Sequence, residues 1–228
     1  RFEQVELSSL DTALLLAGVL FCQSYFDGAE PEEAAIRETA EALYRRVDWR
    51  WAQPRAPAIA AAWKPETGFG DYDYHGYNEA MILYLLALGS PTHPVDQGAW
   101  REYTSRYLWG RFQGREYLAF APLFGHQYSH VWIDFRGIQD EYMRERGSDY
   151  FENSRRAVYA HQAYAIANPL GFEGYGENLW GLTACDGPTD ATIAFEGRPV
   201  RFFTYAARGA SINDTRDDGT IAPTGAAA

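Results

Sequence analysis

Two kinds of helical pattern alternate along this sequence, and that alternation is its strongest constraint on the fold. Residues 10–26 (LDTALLLAGVLFCQSYF) are apolar around nearly the whole helical circumference, whereas residues 32–47 place their apolar side chains on one stripe, with Glu and Arg opposite. A helix of the first kind has to be enclosed, while a helix of the second kind covers a core and keeps one face in water.

The same pair of patterns recurs further along the chain. Residues 79–89 are apolar all round, and residues 96–108 are amphipathic. Further helices are predicted over residues 136–145 and 149–167. An inner helix followed by an outer one is what a ring of helical hairpins requires, and the β-branched runs of a parallel α/β sheet are missing between these helices. We therefore expect an all-α fold, an (α/α)6 toroid.

Six or seven predicted helices are too few to close a ring of six hairpins. We therefore expect one domain over residues 1–228 whose ring continues beyond one or both ends of this sequence. Loops longer than about 12–15 residues in a compact domain usually carry function. Long segments rich in Gly, Pro and aromatic residues lie at 48–78, 110–135 and 168–222, with short extended pieces predicted at 57–63, 117–122, 128–133 and 199–205.

Composition excludes several classes of partner. A net charge of −11 repels nucleic acid and anionic lipid, and the longest apolar run, residues 13–22, is about half of the ~20 residues that a membrane span needs. Two cysteines provide no disulfide framework, and dinucleotide, P-loop, GxSxG and HExxH motifs are missing. Trp, Tyr and Phe make up 16% of the chain, often beside Gly, Asp, Asn or His. This is typical of a surface that stacks on sugar rings, although such rings also fill cores.

Three carboxylates occupy one kind of position, the start of a predicted helix. Asp11 precedes TALLLAG, Glu79 opens AMILYLLALG, and Glu177 opens a short segment, NLWGLTA. An acid at this position is favoured by the helix dipole, by about 0.3–1 kcal/mol. Alternatively, because Asp11 and Glu79 start the two inner helices, a ring would bring both to one rim. Carboxylates there, among aromatic residues, would form a glycosidic site with a general acid and a base or nucleophile.

A further polar cluster lies in PLFGHQYSHVWIDFRGIQDEY. His126 and His130 have the four-residue spacing of metal ligands on a helix, but YSHVWI has an extended pattern and no third ligand follows at a recognisable offset. We therefore expect no metal there. Two alternatives stand: these side chains bind sugar hydroxyls, with Arg136 orienting Asp134, or Asp134 and Arg136 form a structural ion pair.

Seven blocks, from about residue 6 to residue 224, carry a family resemblance. They are ELSSLDTALLLAGVLF, GYNEAMILYLLALGSPTHPV, PLFGHQYSHVWIDFRGI, DYFENSRRA, YAIANP, GYGENLWGLTACDGP and DDGTIAPT. In this order they resemble the bacterial glucoamylase-like domain, which is related to the β-1,2-glucanases of glycoside hydrolase family 144 and to the hydrolase-like region of cyclic β-1,2-glucan synthases.

The resemblance implies an (α/α)6 toroid with a glucan cleft across one rim, and Glu79, the Glu of GYNE, as the general acid. Its partner carboxylate would be Asp134 or Glu177 first, and Asp11 next. No cofactor is implied. In the related β-1,2-glucanases a second acidic residue stands where this chain has Ser8, so substrate and mechanism are expected to differ from theirs in some respect. The residues predicted to contact substrate are Tyr77, His126, Tyr128, His130, Trp132, Arg136, Tyr175, Trp180, Asp186 and Asp218.

We therefore predict hydrolysis of a β-linked glucan, with β-1,2-glucan as the first candidate and an oligosaccharide or polysaccharide as the partner. A transglycosylase or a phosphorylase would use the same site with a sugar or phosphate as acceptor, and the net charge of −11 disfavours phosphate. A carbohydrate-binding protein would bind the glucan without turnover.

Overall fold

The computed structural model describes residues 5–227, and the chain divides after Tyr107 into two compact units. The first unit contains strand β1 (Leu7–Ser8), helices α1 (Ser9–Tyr25) and α2 (Pro31–Arg45), strands β2 (Ala62–Lys64) and β3 (Gly68–Phe69), and helices α3 (Met81–Gly89) and α4 (Gln97–Thr104). In the part of the chain that the structure describes, no helix has both the length and the apolar character to cross a membrane.

Helix α1 is less enclosed than its sequence predicts. Its N-cap is Ser8, whose hydroxyl accepts a hydrogen bond from the Asp11 amide at 3.1 Å, and α2 and α3 pack against the helix. Ala13, Leu16 and Ala17 are its buried residues, whereas the side chains of Leu15 and Phe21 are 68% and 59% exposed. Within residues 5–227, therefore, the predicted enclosure of α1 on all sides is not met, because helices cover part of its circumference.

Helix α3 is the enclosed helix that the sequence predicts. Residues 81–84 are each at most 1% exposed. Helix α4 covers a core with Ala99 and Tyr103, and its N-terminus is capped by Asp96, which accepts a hydrogen bond from the Gly98 amide at 2.6 Å. The predicted succession of an inner and an outer helix is confirmed for this pair. Helix α3 begins after Glu79, however, so that Glu79 lies just outside it.

A small antiparallel sheet joins the start of α1 to the long loop between α2 and α3. Its strand order is β1-β2-β3, with Leu7 opposite Trp63 and Trp63 opposite Phe69. The Ser9 hydroxyl donates to the carbonyl of Ala60 at 2.7 Å. These contacts hold the N-terminus of α1 beside the aromatic loop residues.

The second unit mixes short strands with helices. It contains β4 (Trp109–Phe112), β5 (Arg115–Leu118), α5 (Phe124–Gln127), a 3₁₀ helix (Tyr128–Val131), α6 (Glu141–Glu145), α7 (Tyr150–Ala167), β6 (Ala184–Asp186), β7 (Thr192–Phe195), β8 (Arg198–Arg201), β9 (Tyr205–Ala207), β10 (Gly209–Ala210), β11 (Thr215–Arg216) and α8 (Pro223–Ala227). The strands pair as four antiparallel ribbons, β4-β5, β6-β9, β7-β8 and β10-β11.

Helix α7 organises the core of the second unit. Asp149 caps its N-terminus, and Asn168, with a left-handed φ of 41°, ends it. The side-chain oxygen of Asn153 accepts a hydrogen bond from the Leu118 amide at 2.7 Å, which fixes β5 on the helix. Tyr117 of the same strand packs against alanines of α7.

A buried ion pair links loops and short strands of this unit. Arg208 and Asp218 are 0% and 1% exposed. The guanidinium donates from Nε to Asp218 Oδ1 at 2.6 Å and from a terminal nitrogen to Oδ2 at 2.7 Å, and it also donates to the carbonyls of Cys185 and Phe203. All of these bonds link segments that are irregular or in short strands.

Three predictions of local structure are wrong. Residues 128–133 have an alternating pattern that predicts an extended piece, but the 3₁₀ helix occupies 128–131, held by backbone bonds to the Ser129 carbonyl and by His130 against Ser154 of α7. The segment after Glu177 is a turn and not a helix start, and α6 is shorter than the predicted 136–145, because Gly137 has a left-handed φ of 75°.

Strands make up 17% of the chain and helices 38%. The all-α class is therefore not confirmed. The short strands lie mainly in the long segments for which extended pieces were predicted. The complete toroid stays a prediction.

Candidate active site

Glu79 precedes the first turn of α3, in a segment that hydrogen bonds fix on both sides. The side-chain oxygen of Asn78 accepts a hydrogen bond from the Ala80 amide at 2.9 Å. The Asn78 amide donates to the Tyr103 hydroxyl at 3.2 Å, and this hydroxyl donates to the Asn78 carbonyl at 2.9 Å. Gly76, with a φ of 74°, provides the left-handed turn just before. The backbone at Glu79 is therefore held by the core of the first unit.

One oxygen of the Glu79 carboxyl group is buried without a hydrogen bond. Its Oε2 has no bonding partner among residues 5–227. Burial raises the pKa of Glu79, and a hydrogen bond from its own backbone amide opposes this rise. A carboxyl group in such surroundings keeps its proton to a higher pH than an exposed one. Glu79 therefore has the property that a general acid needs.

The phenols of Tyr72 and Tyr74 are affected by the charge of Glu79. Their rings meet edge to face, with centroids 5.4 Å apart. Burial and then the charge of Glu79 raise the pKa of both phenols, and the charge of Asp11 adds to the effect on Tyr74. Asp11 itself is exposed in the first turn of α1. The charges of Glu79 and Asp11 therefore both favour the protonated phenol of Tyr74, after the larger effect of burial.

Tyr77, the third predicted site residue of this unit, is part of its core. The side chain is 4% exposed, and its ring packs edge to face on Tyr107 at a centroid distance of 5.9 Å. The structure therefore gives Tyr77 a packing role, and stacking on substrate stays a prediction.

The two histidines predicted to bind sugar hydroxyls are held inside the second unit. His126 is 1% exposed, with Nε2 at 3.2 Å from the Phe120 carbonyl, and burial followed by the nearby His161 lowers its pKa to about 3. His130 Nε2 lies 2.9 Å from the Ser154 hydroxyl, and burial lowers its pKa to about 4. Both rings are neutral near pH 7. In residues 5–227 no three His, Cys, Asp or Glu side chains are grouped to hold a metal ion.

Asp134 and Arg136 form an exposed, bidentate ion pair. Both nitrogen–oxygen distances are 2.8 Å. The hydrogen bond from the Arg136 side chain, followed by that from its backbone amide, holds the pKa of Asp134 below its usual range. An ionised carboxylate of this kind suits a base or a nucleophile and not a proton donor. This geometry agrees with the alternative that Asp134 and Arg136 form a structural ion pair. A catalytic role of Asp134 stays a prediction.

Glu177 lies exposed in a glycine-framed turn. The Gly176 amide donates to the Leu179 carbonyl at 3.2 Å, which closes the turn. The Glu177 carbonyl accepts a hydrogen bond from Gln162 Nε2 at 3.1 Å. Gly181 has a φ of 120°, and a Cβ atom there would lie 2.9 Å from the Ala222 carbonyl oxygen. The backbone path therefore explains the glycine at position 181, and it leaves the Glu177 carboxylate in solvent.

Asp217 is a residue of this region that the sequence analysis missed. It accepts hydrogen bonds from the hydroxyls of Tyr175, at 2.7 Å, and Tyr164, at 3.1 Å. Burial and then the charge of Asp217 raise the pKa of both phenols. In the block DDGT two acids are adjacent, and the sequence predicts that Asp218 is the one that binds substrate. The structure places Asp218 in the buried pair with Arg208, where its oxygens are already bonded.

The other predicted contacts lie in the second unit, at the surface or half-buried. Tyr128 is 43% exposed, and its ring packs on Phe124. Trp132 and Trp180 are half-buried, and Asp186 is exposed in β6. Asp11 and Glu79 are the predicted carboxylates of the first unit, and Tyr72 and Tyr74, whose phenol pKa values the charge of Glu79 raises, are not among the predicted site residues. Their signal, two Tyr residues alternating with Asp in GDYDYHGYNE, was available.

Comparison with known proteins agrees with the family resemblance. A family model described as "Glycoamylase: Putative glucoamylase" matches residues 71–228. Over 96% of its length the chain is 29% identical to an exo β-1,2-glucooligosaccharide sophorohydrolase (non-reducing end) from Parabacteroides distasonis, of which it covers 31%. The resemblance to the glucoamylase-like domain and the β-1,2-glucanases is thereby confirmed.

Solved structures match as well. An endo-β-1,2-glucanase from Chitinophaga pinensis, in complex with sophorotriose and glucose, is 25% identical with a TM-score of 0.79, over 96% of this chain and 50% of that one. A "putative glucoamylase" from Bacteroides caccae is 31% identical with a TM-score of 0.75, over 89% of this chain and 48% of that one. The chain thus spans about a third to a half of the length of these relatives.

Proposed function

Because this chain belongs to the Glycoamylase family, we propose that its complete protein is a glycoside hydrolase that cleaves β-1,2-linked glucan, with Glu79 as the general acid. The observation that carries the proposal is the buried Oε2 of Glu79, which has no partner in residues 5–227 and belongs to a carboxyl group whose pKa is raised. The relatives named as a sophorohydrolase and an endo-β-1,2-glucanase support the substrate class. An (α/α)6 toroid is the architecture that we propose for the complete domain.

The reaction follows from the chemistry of the carboxyl groups. The proton on Glu79 passes to the glycosidic oxygen as the bond from that oxygen to the anomeric carbon breaks. A second carboxylate either takes a proton from the attacking water or attacks the anomeric carbon itself. Asp11 shares the first unit with Glu79, while Asp134 and Glu177 are the candidates of the second unit.

The test compares Glu79→Gln with Glu66→Gln in the complete protein. Glu66 is exposed in the turn between β2 and β3, so Glu66→Gln makes the same side-chain replacement at a position that is not a predicted site residue. Release of new reducing ends from linear β-1,2-glucan is measured. A general acid contributes about 10²–10⁴-fold to the rate, so we expect a loss of that size for Glu79→Gln and none for Glu66→Gln.

A substrate with a good leaving group separates proton donation from other roles. A phenol of low pKa leaves without protonation, so Glu79→Gln should cleave such an aryl glycoside far better, relative to the parent, than it cleaves glucan. Equal losses on both substrates would contradict the acid role. Redistribution of chain lengths without new reducing ends would indicate a transglycosylase. Release of a sugar phosphate that depends on added phosphate would indicate a phosphorylase. Binding of glucan without turnover would indicate a carbohydrate-binding protein.

A further inference from the structure

Four arginines surround one cavity in the second unit, on a chain whose net charge is −11. The cavity has a volume of about 300 Å³, and apart from Gly114 every residue that lines it is charged. These charged residues, which we call the arginine cavity, lie on the β4-β5 hairpin and on the first half of α7: Arg111, Arg115, Glu116, Glu152, Arg155 and Arg156. Four positive and two negative charges leave a surplus of two positive charges, opposite in sign to the charge of the chain. No residue of the arginine cavity is among the predicted site residues.

One carboxylate, that of Glu152, holds two of these guanidiniums on α7. Its Oε2 accepts a hydrogen bond from Arg155 Nε at 2.6 Å, and its Oε1 accepts bonds from a terminal nitrogen of Arg155 at 2.9 Å and from Arg156 Nε at 2.8 Å. The hydrogen bond from Arg155 is the main reason that the pKa of Glu152 is lowered to about 2. Glu152 is therefore ionised near pH 7, but its single charge neutralises one of the two guanidiniums that it positions.

The β4-β5 hairpin contributes a second ion pair and a link to α7. Arg111 lies opposite Glu116 in the antiparallel ribbon, and it donates from Nε and from a terminal nitrogen to Glu116 Oε1 at 3.2 and 2.9 Å. A terminal nitrogen of Arg156 donates to the Glu116 carbonyl at 3.3 Å. The hairpin and the helix are thus joined by a side chain of the arginine cavity itself.

Arg115 is the member of the arginine cavity whose charge has no partner within residues 5–227. Its side chain donates no hydrogen bond in that part of the chain, and its guanidinium carbon lies 5.4 Å from the centroid of the Tyr159 ring. The guanidinium carbon of Arg155 lies 5.5 Å from the same centroid. Attraction between a cation and the face of a ring therefore orients Arg115 beside the cavity and leaves its N–H groups for other acceptors.

The arginine cavity has more hydrogen-bond donors than its own residues use. Arg111, Arg155 and Arg156 each donate two hydrogen bonds to described residues, which leaves most of the N–H groups of each guanidinium. The side chains of Arg111 and Arg155 are 69% and 50% exposed, so a ligand can reach them. Guanidinium N–H groups form a planar fork that matches the oxygens of a carboxylate or a phosphate. The unused donors and the positive charge together indicate an anionic ligand.

Charge and volume restrict the class of anion. A surplus of two positive charges matches a phosphate group, which carries about −1.5 to −2 charges near pH 7, better than it matches a single carboxylate. A volume of about 300 Å³ lies at the lower end of the range of ligand pockets, about 300–1,000 Å³, and suits a small molecule. A nucleic acid or an anionic membrane would also meet the acidic remainder of the chain, which repels it.

From these observations we propose that the arginine cavity binds the phosphate group of a small molecule, either inorganic phosphate or a phosphate monoester. Arg115 and the unused N–H groups of Arg155 and Arg156 donate hydrogen bonds to the phosphate oxygens. The site lies wholly in the second unit. The proposal is independent of the hydrolysis of glucan, and neither the resemblance nor the comparisons supply it.

Calorimetric titration of the complete protein tests the proposal, with inorganic phosphate, glucose 6-phosphate and glucose as the probes. We expect a Kd below about 1 mM for at least one of the two phosphate compounds. Arg115→Gln should raise that Kd about tenfold, as loss of a hydrogen bond to a charged group does, and should change Tm little because the side chain donates no hydrogen bond within residues 5–227. Arg216→Gln is the matched control, since Arg216 also lies over a ring, that of Phe203 at 5.8 Å, but does not line the cavity. Its Kd should equal that of the parent.

A second variant adds a charge and removes no contact. Gly114 has a φ of 76°, and a Cβ atom there would meet no other atom within 4 Å. Asp is among the residues that tolerate such a φ, so Gly114→Asp should place a carboxylate beside the cavity and raise Kd at least as much as Arg115→Gln does.

The probes distinguish the sources of the phosphate group. A lower Kd for glucose 6-phosphate than for inorganic phosphate would support a monoester, provided that Arg115→Gln raises it and that glucose alone does not bind in the same way. Equal values would support inorganic phosphate. The proposal is refuted if neither phosphate compound binds, or if Arg115→Gln and Gly114→Asp both leave Kd unchanged. It is also refuted if succinate, a dicarboxylate, binds with a lower Kd than both phosphate compounds.

Discussion

Replacing Arg208 by Met should destabilise the protein by about 3–5 kcal/mol. The guanidinium is 0% exposed, donates to both carboxylate oxygens of Asp218 at 2.6 and 2.7 Å, and donates to the Cys185 and Phe203 carbonyls at 2.7 and 2.9 Å. Methionine fills part of the volume but leaves the Asp218 charge buried without a counterion. Loss of one member of a buried pair has a cost of this size because of the uncompensated charge that it leaves.

The double replacement Arg208→Met with Asp218→Leu distinguishes charge from packing. It removes both charges, so we expect it to recover much of the stability that the single variant loses. The free energy of unfolding is measured by urea denaturation at pH 7, with Arg111→Met as a control, because Arg111 pairs with Glu116 at an exposed site where about 0–1 kcal/mol is expected. A loss below about 1 kcal/mol for Arg208→Met, or a double variant as unstable as the single one, would refute the reasoning.

The pair of Arg208 and Asp218 also predicts that the protein loses stability at low pH. Burial alone would raise the pKa of Asp218, but the hydrogen bonds from Arg208 hold it below its usual range. A carboxyl group with a lowered pKa contributes stability that is present above its unfolded pKa of about 3.9 and is lost as the pH falls through the lowered value. The double variant should therefore lose less stability below about pH 4 than the parent does.

Three further predictions concern titration and packing. Glu79→Gln should be more stable than the parent at pH 8 and equal to it near pH 4. Burial raises the pKa of Glu79, so the stability that its protonated form contributes is lost as the pH rises through that pKa. Tm of both proteins is measured between pH 4 and pH 8, and a difference in Tm that does not change with pH would contradict the prediction. Between pH 6.5 and pH 4 the parent should lose roughly 3 kcal/mol of its free energy of unfolding through His161, since burial lowers the pKa of this residue to about 4. His161→Gln should remove this loss. Denaturant titrations in which the variant loses as much stability with falling pH as the parent does would contradict the prediction. Gly209→Ala should cost about 1–3 kcal/mol or more, because its Cβ would overlap the backbone of Ala121, whereas Gly70→Ala, which has room, should be tolerated.

The helices were predictable because their signals are local. The enclosed character of α3 and the single apolar stripe of α4 follow from side-chain periodicity, and the cap at Asp96 is a matter of neighbouring residues. The exposure of α1 could not be predicted in this way. Apolar residues all round a helix indicate that it is buried on all sides, but they do not show whether the described residues contain the segments that cover it.

The site was predictable in part. Glu79 stood out by its position before an apolar helix, but its buried oxygen depends on the fold around it. Asp217 and Asp218 are adjacent in sequence, yet one binds two phenols and the other a buried guanidinium. Such a difference arises from partners that lie 10–53 residues away, and a local pattern holds no information about them. The prediction of a helix after Glu177 is wrong because Gly174 and Gly181 have positive φ, and the sequence does not show which φ a glycine adopts.

The hydroxyl of Tyr103 carries a consequence for redesign of this protein. Tyr103 belongs to the covering helix α4, yet its hydroxyl meets both the amide and the carbonyl of Asn78, one residue before Glu79, the proposed proton donor. Redesign of α4 should therefore keep Tyr103, because its hydroxyl holds the backbone beside Glu79. We expect a change at position 103 to release the Asn78 amide and carbonyl from this hydroxyl and so to shift the Glu79 carboxyl group, although Tyr103 lies on a different segment.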